Sequence, residues 1–198
     1  MNNIFLVNLY ERADRLEQAT AELGAHGVAF KVWQAIKKED GRMGLILTMK
    51  ELFIHCLKND YQRVLVFEDD VKILAPEFAT TVANCVQQLP PDFDLFYLGC
   101  NLYGEVKKYS QNLLSANGMY SSHAVLYSKK AIRKILRLLN DAKIYDTMLV
   151  NTIQKEDNCY CSFPLLVSQH FGYSDIAKRE INYEKFIEKR YAEKTKGL

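Results

Sequence analysis

The sequence predicts an α/β fold, a central, mostly parallel sheet flanked by helices, on three observations. Short apolar runs alternate with amphipathic stretches along the chain. The runs are continuous rather than alternating, as suits strands covered on both faces. No repeat, low-complexity tract or Gly/Ser-rich linker separates them.

Residues 4–9 are apolar except for Asn8 and read as a buried strand. Residues 12–25 follow as a helix with Leu16, Ala19, Thr20 and Leu23 on one face, and Gly24 and Gly27 end it. Residues 30–36 form a second strand. Residues 43–57 place Leu45, Met49, Leu52, Phe53 and Cys56 at helical spacing. Residues 63–67 are a third, strongly apolar strand that stops at Glu68, Asp69 and Asp70. Pro76 introduces a helix carrying Phe78, Val82, Cys85, Val86 and Leu89, which Pro90-Pro91 closes. Residues 93–98 make a fourth strand ending at Gly99. Residues 101–118 are polar and read as a loop, and 119–127 as a strand. Ser128 caps a helix bearing Ile132, Ile135, Leu136 and Leu139. A helix over 145–154, a strand over 160–167 and a charged helix over 183–194 complete the chain.

One domain is expected, burying about two-thirds of the unfolded chain's surface. Residues 1–100 form a nucleotide-binding half, 101–180 supply the other side of a cleft, and 181–198 are a basic tail. Ligands in such folds bind beyond the C-terminal ends of the strands, which directs attention to residues 8–15, 68–70 and 99–103.

Lys and Arg number 26 against 24 Asp and Glu, a formal charge of +2 that argues against a nucleic-acid protein working by bulk charge. The surplus is C-terminal: residues 176–198 carry a net +3 and the rest a net −1. The tail is therefore a candidate for peripheral contact with an anionic membrane, the alternative being a solvated helix. No run approaches the roughly 18 apolar residues of a membrane helix. The N-terminus lacks a basic region and a cleavage site, so no signal peptide is expected. Five cysteines, an odd number, suit buried reduced thiols and a cytoplasmic setting. Cys159 and Cys161 have the spacing of one strand face and not that of a zinc site.

The most informative stretch is Val64–Val71. Three consecutive carboxylates repel one another, and a divalent cation resolves the conflict, since hard oxygen ligands suit Mg²⁺ or Mn²⁺. Alternation puts Glu68 and Asp70 on one side of the chain and Asp69 on the other. The plainer alternative is a solvated acidic turn before the next element.

Val66-Phe67-Glu68-Asp69-Asp70-Val71 resembles the Glu-Asp-Asp form of the Asp-x-Asp motif in family 25 glycosyltransferases. That family includes bacterial lipo-oligosaccharide and collagen galactosyltransferases. Four further segments match in order. Val7-Asn8-Leu9-x-x-Arg12-x-Asp14-Arg15 is similar to its N-terminal signature, and Gly41-x-x-Gly44 to a glycine segment before a helix. Residues 120–136, with Ser128-Lys129-Lys130-Ala131, resemble its strand and following helix. Tyr145-Asp146, Pro164 to Gln169 and Ser174-Asp175-Ile176 resemble its late aspartate and its ending. Leu45 and Thr48-Met49 depart from it, standing where the family usually has Cys and a Ser-His pair.

The resemblance implies a GT-A-like, nucleotide-sugar-binding fold and a metal-dependent inverting transfer of a sugar, galactose or a relative. The donor is a UDP-sugar, the acceptor a glycan or lipo-oligosaccharide, and the cofactor Mn²⁺ or Mg²⁺. Asn8, Leu9, Arg12 and Arg15 then border the nucleotide, Arg12 meeting a phosphate while Asp14 and Arg15 pair on the helix surface. Asp70 is the first metal ligand, Glu68 a second ligand or ribose contact, Asp69 a donor contact, and His170 a late ligand. Asp146 is the base, or alternatively the N-cap of its helix. Tyr97, Tyr103, Tyr120 and Trp33 offer a sugar platform, with most of them expected in the core. His26 and His55 are weaker candidates, and Ser122 and His123 point to opposite faces and make no triad. A catalytically reduced nucleotide-sugar-binding protein is the alternative. A nucleotidyltransferase ranks low, because residues 8–15 contain no glycine.

Overall fold

The structure, a computed structural model, describes residues 3–156 and 158–198. Its first half runs β1 (Ile4–Asn8), α1 (Ala13–Ala25), β2 (Lys31–Gln34), α2 (Gly41–Lys58), β3 (Arg63–Glu68), β4 (Val71–Ile73), α3 (Phe78–Gln88) and β5 (Leu95–Tyr97). The second half runs β6 (Asn101–Leu102), β7 (Val106–Lys108), β8 (Leu113–Ala116), β9 (Met119–Tyr120), β10 (Ala124–Ser128), α4 (Lys129–Leu138) and α5 (Tyr145–Asn151). It ends with β11 (Cys159–Ser162), β12 (Val167–Gln169), β13 (Gly172–Ser174), β14 (Arg179–Ile181) and α6 (Tyr183–Thr195).

Eight strands form one sheet in the order β2-β1-β3-β10-β5-β11-β8-β7. β1, β2, β3, β5, β11 and β7 run one way, and β10 and β8 run the other. The expected α/β fold with a mostly parallel, helix-flanked sheet is therefore what the chain adopts. Strand alternation divides the core: Phe5 and Val7 of β1 with Val64 and Val66 of β3 face α2, α4 and α5, while Leu6, Leu65 and Phe67 face α1 and α3. All five cysteines are buried and free of disulfides.

Helix α2 shows how sequence sets the cleft wall. Asp40 caps it, accepting from the Arg42 N–H at 3.0 Å. A Cβ on Gly44 would lie 2.6 Å from the Ile36 carbonyl oxygen, so only glycine lets α2 approach the chain leaving β2. Thr48 then pins that chain: its Oγ1 donates to the Gly44 carbonyl and accepts from the Ile36 N–H, both at 2.8 Å. Met49, beside it, is buried in the core. Thr48 and Met49 thus hold the wall and the core.

The second half needs more correction. Residues 101–118, expected as a loop, contain β6, a β7–β8 hairpin and the pairing of β8 with β11. The strand expected over 119–127 breaks at Ser121, which adopts φ 65°. The expected helix over 145–154 ends at Asn151 and continues as a 3₁₀ turn, Ile153–Glu156. The strand expected over 160–167 stops at Ser162 before a cis Phe163–Pro164 bond, and β12 pairs with β4 in a separate ribbon.

α6 forms as expected, but it is docked and not a free tail. Ile187 and Tyr191 are buried, and the Tyr191 hydroxyl donates to the Ser162 carbonyl at 2.6 Å. Among the described residues, no helix is long and apolar enough to cross a membrane.

Candidate active site

The C-terminal ends of β1 and β3 open into a cleft of about 810 Å³. Asn8, Leu9, Arg15 and the three acids lie on one side, with Gly41 to Thr48 of α2 and the β13–β14 hairpin around them. Tyr103, Tyr120 and Asp146 complete the opposite wall.

β3 ends in a turn at Asp69-Asp70, so strict alternation lapses and both carboxylates reach one guanidinium. Arg15 lies 2.7 Å from Asp69 and 3.0 Å from Asp70. The Asn8 amide donates to Asp69 at 2.8 Å, and the Gln169 amide to Asp70 at 3.0 Å. The other Asp70 oxygen, Oδ1, is buried with no hydrogen-bond partner among the described residues. Burial, then the charges of Asp70, Asp146 and Asp69, push the Glu68 carboxyl well above the usual range, and Arg15 only partly opposes this. Burial pushes Asp69 up to about 6 against the pull of Arg15 and Asn8. Carboxyls crowded this way are costly without additional positive charge.

Among the described residues no three His, Cys, Asp or Glu side chains converge to hold a metal by themselves. A small hard cation does not require that, because one or two carboxylates plus substrate phosphates commonly hold it. The unpartnered Asp70 Oδ1, near Glu68, is a donor of that kind, and in this respect the residues fit.

Of the two arginines expected beside the nucleotide, Arg15 lines the cleft and Arg12 does not. Arg12 is the N-cap of α1, with non-helical φ −101° and ψ 53°. Its guanidinium pairs with Asp14 and with Asp175, tying α1 to the residues after β13, and it does not line the cleft. Arg15, one turn inside the helix, faces the acids instead of Asp14.

His170, expected as a late metal ligand, has its imidazole near α1. It borders the cleft, but its Nε2 lies 3.6 Å from Glu22 of α1, and its backbone N–H donates to the Asp70 carbonyl at 2.7 Å. Its contact with Asp70 is thus through the main chain.

Asp146 is not the N-cap of α5, a position held by Ile144. It turns to the β9–β10 bend, accepting from the Ser121 N–H and the Ser122 hydroxyl, each at 2.8 Å. Burial raises its pKa while these donors lower it. Of the aromatic candidates, Tyr97 is buried in the core and Trp33 packs against His55 and Phe5, while Tyr103 and Tyr120 line the cleft. His55 is accordingly half-buried among aromatics. Sequence reasoning missed Gln169 and the Ser121-Ser122 pair as contacts of the acids. Gln169 carries no signal in the sequence beyond its place in the Pro164 to Gln169 segment.

No family model matches the chain, and no curated protein matches it. Among solved structures it is similar to A197 from STIV, at 13% identity over 91% of this chain and 93% of that one, with a TM-score of 0.51. It also matches a glycosyltransferase involved in the glycosylation of the major capsid of PBCV-1, at 9% identity over 82% and 94%, TM-score 0.48. A third match is a Drosophila galactosyltransferase 7 mutant in complex with manganese, UDP-Gal and xylobiose, at 13% identity over 90% and 74%, TM-score 0.48. At such identities the likeness to A197 is one of fold.

Proposed function

We propose that the chain is a glycosyltransferase of GT-A-like fold. In this reading it is inverting and cation-dependent, and it moves a sugar, galactose by its family 25 resemblance, from a UDP-sugar to a glycan or lipo-oligosaccharide. One observation carries the reading: an acidic strand end, with an unpartnered Asp70 oxygen, shares a cleft with a separately held carboxylate, Asp146. Residues 1–100 supply the donor side and 101–180 the acceptor side.

Asn8, Leu9 and Arg15 border the nucleotide, and Asp69, held by Asn8 and Arg15, keeps that edge rigid. Asp70 and Glu68 are the residues that would hold Mn²⁺ or Mg²⁺, which when bound neutralises the leaving diphosphate. Asp146 takes the acceptor hydroxyl's proton as that oxygen attacks the anomeric carbon. The bond to the diphosphate breaks from the opposite face, so configuration inverts in one displacement. Burial makes Asp146 a stronger base than an ordinary carboxylate, and Ser121 and Ser122 aim it.

Thermal shift tests the reading. Saturating UDP-galactose with Mn²⁺ is expected to raise the Tm, with about 2.7 kcal/mol of stability gained at a hundred times Kd. No shift with any UDP-sugar overturns it. A second expectation concerns pH. The Ser122 hydroxyl favours ionised Asp146, so Ser122→Ala raises that pKa further. The acid limb of kcat/KM therefore moves to higher pH, with activity lost first under acidic conditions; an unmoved limb removes Asp146 as the base.

A catalytically reduced binding protein is the second reading, favoured by Arg15 already bridging Asp69 and Asp70. Binding of UDP-galactose without turnover on any acceptor would select it. A cytoplasmic site of action, with the exposed lysines of α6 touching an anionic membrane, is part of the proposal. Co-sedimentation with anionic vesicles checks it.

A further inference from the structure

Tyr103 is half-exposed, at 51%, on the cleft wall. Its ring is held from several directions. Tyr120 meets it edge-on, with centroids 5.4 Å apart and planes at 76°. The Arg190 guanidinium of α6 lies 3.8 Å over its centroid. Arg190 Nε is buried with no hydrogen-bond partner among the described residues, so the ring is the partner that accounts for its position.

The backbone beneath is equally fixed. The Tyr103 N–H donates to the Gly118 carbonyl, and Lys194 donates to the Gly104 carbonyl, both at 3.0 Å. A Cβ on Gly104 would come within 2.1 Å of Asn117 Oδ1, so only glycine lets the turn lie this close to Asn117. α6 thus grips the Tyr103–Gly104 turn by its ring and by its main chain.

Position assigns the ligand. Tyr120, which buttresses Tyr103, immediately precedes Ser121, whose N–H holds Asp146 at 2.8 Å. Asn8 lies on β1, and β3 and β10 separate β1 from β5, the strand that leads to Tyr103. The tyrosine pair therefore stands beside the base and away from the nucleotide edge. A rigid aromatic face next to a proton acceptor suits a pyranose, whose C–H face packs on the ring while its hydroxyls point to polar neighbours.

We propose that Tyr103 is the acceptor-sugar platform and that Arg190 is its positioning residue. This rests on the glycosyltransferase reading. It makes the C-terminal helix a determinant of acceptor choice.

The test is saturation-transfer NMR on the full chain with lactose and methyl β-galactopyranoside as probes. Calorimetry with UDP-galactose and Mn²⁺ is run on the same samples. Tyr103→Ala is expected to weaken the sugar signal by about fivefold or more, whereas Tyr103→Phe and Tyr103→Trp keep it. Arg190→Met weakens it by about twofold and Arg190→Lys restores it, an ordering that general loss of fold would not give. An undiminished signal in Tyr103→Ala, or none in the wild type with either sugar, overturns the proposal. So does loss of UDP-galactose binding in Tyr103→Ala with the sugar signal intact, since the ring would then serve the nucleotide. If the wild type binds sugars but no UDP-sugar, the glycosyltransferase reading fails while Tyr103 stands as a sugar-binding surface without an acceptor role.

Discussion

Gly99→Ala is expected to destabilise the protein by about 3 kcal/mol or more, the upper end for overpacking. A Cβ there would sit 1.8 Å from the Val167 carbonyl oxygen and 3.2 Å from His123 Nε2, well inside contact distance. Neither segment is free to retreat. The Leu98 carbonyl accepts from the N–H groups of Leu166 and Val167 at 3.1 and 3.2 Å and from the Ser162 hydroxyl at 2.8 Å. Moving the backbone apart breaks those bonds, and β12 would shift with it, carrying Gln169 away from Asp70. At roughly 2–4 °C per kcal/mol for a chain this size, the Tm falls by about 6–12 °C. Differential scanning calorimetry measures this directly, and a change of under about 2 °C would contradict the close approach.

Asp70→Ala is expected to lower sugar transfer in Mn²⁺ by about 10²–10³-fold, the scale of removing one electrostatic stabiliser from a reaction centre. The fold should survive. The Asp70 carbonyl that accepts from His170 is main chain and remains, and Arg15 keeps Asp69 at 2.7 Å. The loss is confined to the carboxylate that accepts from Arg15 and Gln169 and leaves one oxygen unpartnered. Asp70→Asn keeps the shape without the charge and should fall nearly as far. Steady-state transfer with a circular-dichroism melt of each variant decides the matter; wild-type rates from a folded Asp70→Ala protein would remove the carboxylate from the chemistry.

What sequence alone revealed follows from how long each signal is. β1, β3, α1 and α2 declare themselves through three to five apolar positions in register, and the acids ending β3 stand out because nothing apolar dilutes them. β4, β6, β7, β9, β13 and β14 have two or three residues each, too few for any period to show. The cleft followed the same division. The acidic side was legible, but spacing could not separate Arg12 from Arg15, because the outcome turned on a non-helical backbone at Arg12. That Asp146 does not cap its helix depends on the Ser121 bend, 25 residues earlier, which no local pattern around Asp146 announces. Tyr103 was visible as an aromatic residue, whereas the Arg190 that makes it rigid lies in what reads as a charged tail.

The place of β10 in the sheet governs the order in which the chain is able to complete itself during synthesis. β1, β2 and β3 are made first and pair with one another, but β3 presents its second edge to nothing until β10 is made. That waiting edge carries Val64 to Phe67, all buried once folding is finished. A ribosome-bound fragment ending before residue 124 therefore displays an apolar, unpaired strand, the sort of edge that recruits chaperones or a neighbouring chain. The same arrival closes the sheet on β5, since β10 pairs with both strands. Residues 1–100 expressed alone would thus leave three strand edges of the large sheet unpaired, one on β3 and both on β5, and not a smaller closed fold.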